Sequence, residues 1–472
     1  MRGTAVLVGA ALAMLGAAAP AAAQDACLPD FPATAPAPQA GGKLRFGIYP
    51  GGPAGQLGPI PAGSKKENQA KIFAALEQLR PPGGPFAVHL YRSYLDPDSD
   101  AKEEQEQRKL VDLYTSHGYG VEIVIRYRHD DDVAGFAEFV RGVVRRFGSN
   151  PLVRAFQVTN EVNFTVSKDS SDGAYAGSRD ALIQGVIAAK DEARALGYSQ
   201  VQIGFNWVYR TDPGEEQDFW TYLGSAGGAR FVKSLDWVGL DAYPGTFYPP
   251  RTEPSTTYDL MVNAMSTLRK CYMPLAGIPA GVPIHIEENG YPTGPDRSYE
   301  DQRVAADRML AALDDYALVY GVTDYFWFDL RDADSGSPNF QQQYGAMRDD
   351  YTPKPAFDVL RERFARMTAA GEVTPPAAQP APPPAALRVK LRLRCHSRSV
   401  TAYLTGADAN SASSARFALH GVREIDDRAP FRMNVRLSPS SRPQRIRAAA
   451  RIRFGSAKAL VRVKHAHCLV TR

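Results

Sequence analysis

The sequence predicts an α/β protein in two folded parts, a (β/α)₈ barrel followed by a small antiparallel β-sandwich of Ig-like type. Short apolar runs alternate with longer amphipathic ones between residues 43 and 367, and the alternation repeats eight times. After the Pro/Ala-rich segment 368–386, residues 387–472 change to a period of two, which is typical of short strands with one wet face. An open doubly wound sheet is the alternative, but the turn Tyr49–Pro53 lacks the dinucleotide-binding glycine pattern.

Each apolar run is a predicted barrel strand, and each amphipathic run after it is a predicted helix. The predicted strands are Lys43–Ile48, Phe86–Tyr91, Gly120–Arg126, Val153–Thr159, Val201–Asn206, Leu235–Leu240, Val282–Glu288 and Val322–Phe328. The predicted helices are Glu67–Leu79, Glu103–Ser116, Val133–Phe147, Gly177–Leu196, one within Glu215–Leu223, Tyr258–Lys270, Glu300–Tyr320 and Pro355–Met367.

The N-terminus predicts export. Residues 1–23 combine Arg2, an apolar run from Ala5 to Ala19 and a small-residue cleavage site, which is the pattern of a signal peptide. Residues 24–42 then form an N-terminal linker, and the mature protein is expected to be secreted or associated with the cell envelope. Four cysteines in an exported chain indicate disulfides. Three pairings are open, of which Cys395–Cys468 together with Cys27–Cys271 is favoured.

The segment 387–472 is strongly basic, whereas the whole chain carries a net charge of only +4, so the barrel part must be acidic. Two interpretations stand: the basic face holds an anionic glycan or a cell surface by charge, or it is a solvated accessory domain. Nucleic acid is not expected as a partner, and the protein is expected to be a monomer. The predicted strands are Leu387–Arg394, Ser399–Leu404, Ala415–Leu419, Phe431–Leu437, Ile446–Phe454 and Leu460–Lys464.

Two predicted barrel strands end in carboxylates. Strand four ends in Thr159-Asn160-Glu161, and strand seven ends in Glu287-Glu288 followed by Asn289. Cleavage of a glycosidic bond uses two carboxyl groups, one that protonates the leaving oxygen and one that attacks the anomeric carbon or activates water. In a barrel of this kind such groups belong at the C-terminal ends of strands. The sequence therefore predicts Glu161 and a strand-seven glutamate as the catalytic pair.

These motifs resemble those of the large clan of retaining (β/α)₈ glycoside hydrolases, the clan GH-A type. The resemblance covers the barrel in strand order but only a handful of residues. It implies that Glu161 is the general acid/base, that Asn160 holds the sugar 2-hydroxyl, and that the strand-seven glutamate is the nucleophile acting on a β-linked glycan. The clan often has proline after the acid/base, where this chain has Val162, so no single family is assigned.

The choice between Glu287 and Glu288 depends on the clan pattern and on strand phase. Glu288 stands before Asn289-Gly290, the turn typical of the clan, and Glu287 stands at the preceding small-polar position. Alternation along the strand places Glu288 with Ile284 and Ile286 and points Glu287 the other way. We therefore predict Glu288 as the nucleophile.

The resemblance also implies supporting side chains at other strand ends. Tyr243 stands where the clan has an aromatic hydroxyl bonded to the nucleophile, although a tyrosine that packs in a loop fits equally well. Arg92 stands where the clan has a cation beside the nucleophile, with a surface arginine as the alternative. Trp327 is either a platform on which the sugar stacks or an ordinary core residue.

Three further residues are candidates by position alone. Asn206 and Trp207 end strand five and could line the same cleft, and His129 follows strand three and could bind substrate hydroxyls or be structural. No cofactor and no metal ion is expected, because the chain lacks the phosphate-binding glycine loop and the His-Glu-x-x-His motif. A transglycosylase, or a carbohydrate-binding protein without activity, remains the alternative to a hydrolase.

Overall fold

The computed structural model describes residues 36–39, 44–52, 64–95, 97–250, 252–369, 389–406, 409, 414–426, 430–440, 442–454 and 457–468. These residues form two compact units, one on each side of the segment 370–388. The predicted signal peptide, Cys27, most of the N-terminal linker and most of the Pro/Ala-rich linker lie outside them. Within the described ranges, no helix is both long and apolar enough to cross a membrane.

Eight parallel strands in the first unit close into a barrel in sequence order, so the predicted (β/α)₈ fold is confirmed. The barrel closes where the first strand pairs with the eighth, with Phe46 opposite Tyr325. The strands are β1 (Arg45–Ile48), β2 (Phe86–Tyr94), β3 (Gly120–Tyr127), β4 (Val153–Val158), β5 (Gln202–Val208), β6 (Trp237–Ala242), β7 (Ile284–Asn289) and β8 (Val322–Trp327).

Helices follow the strands and bury their apolar sides on the barrel. The predicted linker starts two residues too early, because α10 continues beyond residue 367 and buries Thr368. The helices are α1 (Gln69–Leu79), α2 (Pro97–Ser116), α3 (Val133–Phe147), α4 (Ser178–Ala195), α5 (Pro213–Tyr222), α6 (Gly228–Val232), α7 (Thr257–Thr267), α8 (Met273–Leu275), α9 (Tyr299–Tyr320) and α10 (Pro355–Ala369).

Side chains on the strands alternate between the helix-covered outside and the barrel interior. The outside is apolar and well packed, whereas glycines inside the barrel make room for large rings. A Cβ atom on Gly47 would lie 2.2 Å from the ring of Phe326, and one on Gly204 would lie 2.2 Å from the ring of Trp237. The alternation also decides which residue at each strand end reaches the mouth of the barrel.

The second unit consists of two antiparallel sheets around one apolar core, so the predicted sandwich is confirmed. One sheet has the order β13-β10-β9 and the other β12-β11-β14-β15. The strands are β9 (Lys390–Cys395), β10 (Ser399–Thr405), β11 (Ser414–Leu419), β12 (Val422–Asp426), β13 (Arg432–Arg436), β14 (Gln444–Phe454) and β15 (Ala457–Cys468).

Strand β12 was not predicted from the sequence. It is an edge strand whose first four residues are exposed, so its sequence lacks the alternation of apolar and polar residues by which a strand is predicted. The signal that marks it is the two-residue turn before it, His420-Gly421, in which both residues have a positive φ, of 47° and 88°. Two such residues in succession are typical of a tight β-hairpin.

The predicted disulfide between Cys395 and Cys468 is present and joins the ends of β9 and β15. Cys271 is also disulfide-bonded. Its predicted partner, Cys27, lies outside the described residues, so this second pairing stays a prediction.

Candidate active site

Three carboxyl groups converge at the C-terminal mouth of the barrel. Glu161 follows β4, Asp241 is in β6 and Glu288 is in β7, and an oxygen of each lies within 4.8 Å of an oxygen of the other two. All three are buried, with 8 % of Glu161, 7 % of Glu288 and none of Asp241 exposed. The two glutamates named from the sequence are therefore neighbours, and the structure adds an aspartate that the sequence did not point to.

Glu288 reaches the mouth because β7 contains a bulge. Leu240 and Asp241 are adjacent in β6, yet they pair with Ile286 and Glu288, so Glu287 is an extra residue in β7. The pairing with β8 shifts at the same place. A bulge bends the strand and re-aims the side chains that follow it.

The bulge changes the face of β7 on which Glu288 lies, relative to the simple alternation predicted from the sequence. Ile284 and Ile286 belong to the apolar core outside the barrel. Glu287 lies deeper inside the barrel, 3.3 Å from Nε2 of His89 of β2. Glu288 therefore does not share a face with the two isoleucines. The prediction that strand alternation alone separates Glu288 from Glu287 is wrong, although that prediction did select Glu288, the residue at the mouth.

Two tyrosine hydroxyls hold the Glu288 carboxylate. The Tyr243 hydroxyl donates to Oε2 at 2.6 Å, which is the contact predicted for this residue. The Tyr91 hydroxyl, from β2, donates to Oε1. With one donor on each oxygen, the carboxylate is fixed in orientation, and its charged form is stabilised.

Glu161 sits on a tight backbone turn that the surrounding side chains hold in place. Thr159 and Glu161 both have a positive φ, of 67° and 49°, which non-glycine residues rarely adopt. The backbone N–H of Glu161 donates to Oδ1 of Asn206 at 2.8 Å, and that of Asn160 donates to Asp172 at 2.9 Å. The strain is thus concentrated at the residue whose carboxyl faces Glu288.

Asn206 links the turn to the third carboxyl. Its Nδ2 donates to Oδ1 of Asn160 at 3.0 Å and also to Oδ2 of Asp241. Nδ2 of Asn160 donates to the backbone carbonyl of Ser170 at 3.1 Å. Both asparagines predicted from the sequence therefore lie at the site, and the contacts given for them position the backbone that presents Glu161.

The environment separates the two glutamates electrostatically. Burial raises the pKa of Glu161 well above its usual value, and the nearby Glu288 charge raises it further, whereas Arg126 opposes both effects. Burial also raises the pKa of Glu288, but the hydrogen bonds from Tyr243 and Tyr91 and the charge of Arg126 lower it. Proton loss from Glu288 before Glu161 is the order that these contacts favour.

Arg126 of β3 is the cation of the site. Its Nε donates to Oδ1 of Asp172 at 3.2 Å, and one of its terminal nitrogens donates to the carbonyl of Ser170 at 2.7 Å. The other oxygen of Asp172 accepts from the backbone N–H groups of Tyr127, at 2.7 Å, and Asn160. One buried aspartate therefore fixes both the cation and the turn before Glu161.

We expect Asp172→Ala to lower the free energy of unfolding by about 3–5 kcal/mol, because it removes the carboxylate of a buried ion pair. Urea unfolding at neutral pH measures this loss. Asp169→Ala is the matched control, since Asp169 is exposed in the same loop. Equal unfolding midpoints for the two variants would contradict this assignment.

Arg92 does not lie beside Glu288. It lies on the same outward side of β2 as Val88 and Leu90, and its guanidinium lies 2.9 Å from the carboxylate of Glu103 on α2. The prediction that Arg92 is the cation next to the nucleophile is therefore wrong. The inward residue at this strand end is Tyr91.

Trp207 and Trp327 have the same outward phase and are fully buried. The ring of Trp207 packs edge-on against Trp220 and Tyr272, at centroid distances of 5.9 and 5.2 Å. Trp327 belongs to the same apolar core. A ring without exposed surface cannot stack on a sugar, so both predicted cleft roles are wrong.

Phe328, the residue that follows β8, is the aromatic side chain at the mouth. It is half-buried, and its ring centroid lies 5.7 Å from Tyr49, 6.2 Å from Tyr243 and 5.5 Å from Tyr344. It follows Trp327, the residue predicted from the sequence as a platform, by one position. His129 is exposed, 5.9 Å from the ring of Tyr94, and its role as a substrate ligand stays a prediction.

Among the residues that the structure describes, two groups of buried side chains have ligand atoms close enough to share a cation: the three carboxyls at the mouth, and a deeper group of His89, Glu122 and Glu287. In the deeper group burial raises the pKa of Glu122 to about 8, and burial together with Glu122 raises the pKa of Glu287 well above its usual value. Two buried carboxyl groups this close to each other favour the protonated form of at least one of them.

Neither a protein-family model nor a curated protein matches the chain. Similar solved structures include a family 39 glycoside hydrolase from Bacteroides cellulosilyticus WH2, with 11 % identity, 84 % of this chain and 81 % of that chain covered, and a TM-score of 0.45. A GH5_18 protein from Streptomyces cattleya in complex with GlcNAc has 16 % identity, 70 % and 81 % coverage, and a TM-score of 0.47.

A Bacteroides uniformis β-glucuronidase has 13 % identity and a TM-score of 0.43. The match covers 92 % of this chain but only 46 % of the glucuronidase, so the chain spans about half of that protein's length. These similarities concern the fold alone. Any function assigned to the chain has to rest on the side chains at the barrel mouth.

Proposed function

We propose that this protein is a secreted retaining glycoside hydrolase that cleaves a β-linked glycan by double displacement, with Glu288 as nucleophile and Glu161 as general acid/base. The observation that carries the proposal is the close approach of the two carboxyls, with oxygens within 4.8 Å at the mouth of the barrel. Retaining enzymes place the carboxyls about 5–5.5 Å apart, and inverting enzymes about 6.5–9.5 Å apart to admit a water molecule. The observed spacing favours direct attack by a carboxylate.

The different surroundings of the two carboxyls support the division of roles. Glu288 is clamped by two tyrosine hydroxyls, which hold its oxygens in a fixed orientation for attack. Within the described part of the chain, the Glu161 carboxyl has no hydrogen-bond partner, and burial beside Glu288 raises its pKa. A group that must give up a proton and then take one back needs this freedom.

The reaction then runs in two steps. Glu161 donates its proton to the leaving glycosidic oxygen while a carboxylate oxygen of Glu288 bonds to the anomeric carbon, and the bond to the leaving group breaks. Loss of this proton leaves Glu161 as a carboxylate. Glu161 then takes a proton from water, the hydroxide oxygen bonds to the anomeric carbon, and the bond to Glu288 breaks, so the configuration is retained and Glu161 regains its proton.

Phe328 and the tyrosines around it supply the apolar wall that a sugar needs. Phe328 keeps part of its surface exposed, and the C–H face of a sugar ring packs well on aromatic rings. Asn160 and Asn206 position the turn that presents Glu161. A transglycosylase, which transfers the sugar to a second sugar instead of water, would use the same groups. A carbohydrate-binding protein without activity would not need both Glu161 and Glu288.

Export, a monomeric state and attachment through the second unit complete the proposal. Residues 387–472 contain 19 Lys and Arg but 4 Asp and Glu, a net charge of +15, so the +4 of the whole chain leaves −11 for residues 1–386. A charge of this size supports binding of the second unit to an anionic glycan or a cell surface. The disulfide between Cys395 and Cys468 is compatible with an oxidising compartment.

The stereochemistry of hydrolysis tests the proposal. Wild-type protein is incubated with a panel of plant, fungal and bacterial polysaccharides, and reducing-sugar release selects the substrate. Proton NMR then follows the anomeric signals of the product in the first minutes. We expect the β-anomer to appear before the α-anomer. Initial α-anomer would replace the retaining mechanism with an inverting one, and binding of a panel member without release would favour the non-catalytic alternative.

A further inference from the structure

The outer face of the sheet β13-β10-β9 carries a regular arrangement of cations around one aromatic ring. The inward residues Leu391, Leu404 and Met433 are buried in the core of the second unit, so their strand neighbours point to solvent. On β9 and β13 the outward residues are all exposed and almost all basic. They are Lys390, Arg392 and Arg394 on β9, and Arg432, Asn434 and Arg436 on β13.

The central strand places a tyrosine between two arginines. Tyr403 of β10 pairs with Arg392 on one side and with Arg432 on the other, so the three residues form one rung across the sheet. Neighbouring strands are about 4.8 Å apart, which puts the two arginines about 10 Å apart across the ring. Tyr403 is half-buried, and the arginines are exposed.

The next rung continues the pattern with polar groups. Thr401 of β10 pairs with Arg394 and with Asn434, which gives a hydroxyl, a guanidinium and an amide side by side. Within the described part of the chain, Arg392, Arg394 and Arg432 form no side-chain ion pair, and the one carboxylate bonded to any of them, that of Asp426, accepts from the backbone N–H of Arg432 at 2.8 Å. The face combines free guanidinium groups, an aromatic ring and neutral hydrogen-bonding side chains.

We propose that this face is a binding site for an acidic polysaccharide, with a sugar ring packed on Tyr403 and acid groups of the polymer bound by Arg392 and Arg432. Guanidinium groups bind carboxylates and sulfates through paired hydrogen bonds. A tyrosine ring offers an apolar surface for the C–H face of a sugar. The inference rests on the proposed attachment of the second unit to an anionic glycan and locates that attachment on one of its two sheets.

The composition of the face favours a polysaccharide over single-stranded nucleic acid. Nucleic-acid surfaces stack successive bases on several aromatic side chains. Tyr403 is the one aromatic residue among the outward positions of the three strands that the structure describes, and hydroxyl and amide groups occupy the other positions of β10 and part of β13. These groups suit sugar hydroxyls.

Affinity electrophoresis of the full chain through gels containing polygalacturonate or heparin tests the site, with neutral dextran gels as reference. The variant R392A/R432A removes two charges from the proposed face. The matched control R447A/R451A removes two exposed charges from β14 in the other sheet. Y403A removes the ring without changing the charge. Thermal unfolding confirms that each variant is folded.

We expect retardation of wild-type protein by at least one of the two polyanions at low salt and its loss at high salt. Dissociation constants should rise at least tenfold in R392A/R432A, threefold or more in Y403A, and less than threefold in R447A/R451A. Equal weakening in both double variants would overturn the location but leave charge-driven attachment standing. Absence of retardation of wild-type protein would remove both proposals. Tighter binding of single-stranded DNA, weakened by the same variants, would replace the polysaccharide with nucleic acid.

Discussion

Glu288→Ala is expected to lower kcat by roughly 10⁴-fold or more, because a covalent mechanism without its nucleophile retains only the contribution of binding and positioning. The fold should be unaffected, since a smaller side chain at the mouth relieves the approach of three buried carboxyls. The rate of reducing-sugar release from the substrate selected in the polysaccharide panel measures the loss. The unfolding temperature of the variant, compared with that of wild-type protein, separates lost chemistry from lost structure.

Azide makes the assignment specific. The space left by the Glu288 carboxylate admits a small anion, which attacks the anomeric carbon from the same side and gives a glycosyl azide of inverted, α configuration. An activated aryl glycoside of the substrate sugar provides the leaving group. Recovery of activity with azide and an α-azide product identifies Glu288 as the nucleophile. A β-azide product would assign it the acid/base role instead.

Glu287→Gln is the matched control for Glu288→Ala, because it tests whether the neighbouring carboxylate is the nucleophile instead. Glu287 faces the barrel interior, where burial together with Glu122 raises its pKa well above the usual value. Because an amide replaces a carboxyl that is held protonated, we expect kcat to stay within about tenfold of wild type. A loss as large as that of Glu288→Ala, with azide rescue, would move the nucleophile to Glu287.

The sequence predicted the barrel because its strands are read from a pattern that the fold requires. Buried parallel strands are almost continuously apolar, and the helices between them are amphipathic. The predicted run Val322–Phe328 and the observed strand Val322–Trp327 differ by one residue. At the fifth predicted helix the structure has an interrupted helical segment, from α5 through a π-helical turn to α6.

The site residues were predicted less well, because they were chosen by their position at the end of a strand. Whether each side chain points into the barrel or towards the helices was not considered. In β3 the phase is readable: Val121, Ile123 and Ile125 alternate with inward residues that end in Arg126. The same reading applied to β2 selects Tyr91 over Arg92, and applied to β6 selects Asp241. Three of the misassigned or missed residues were therefore accessible from alternation alone.

Other features depend on contacts that no local pattern contains. The bulge in β7 is defined by its pairing with both neighbouring strands, and only that pairing brings Glu288 rather than Glu287 to the mouth. The ion pair between Arg126 and Asp172 joins residues 46 positions apart. Asp172 lies in a long loop whose sequence has no periodicity, so its role follows from the tertiary structure alone.

Glu161→Gln provides the second large effect, and its signature is a change in pH dependence. In wild-type protein the reaction needs Glu288 ionised and Glu161 protonated. Activity should therefore fall at low pH, as Glu288 takes up a proton, and fall again at high pH, as Glu161 loses its proton at a pKa raised above the usual glutamate value by burial and by Glu288. The amide of glutamine does not titrate, so the variant should lose the alkaline limb and keep the acid limb.

The size of the effect should depend on the leaving group. Protonation of a sugar alcohol is demanding, and we expect kcat/KM for the natural glycan to fall roughly 10²–10⁴-fold in Glu161→Gln, the usual contribution of general acid catalysis. A dinitrophenyl glycoside leaves without protonation, so its first step should be nearly unaffected, and a burst of dinitrophenol should precede slow turnover, because release of the glycosyl-enzyme still needs a base. Equal losses for both substrates with an intact alkaline limb would assign the proton transfer to another group at the mouth, for which Asp241 is the neighbour within reach.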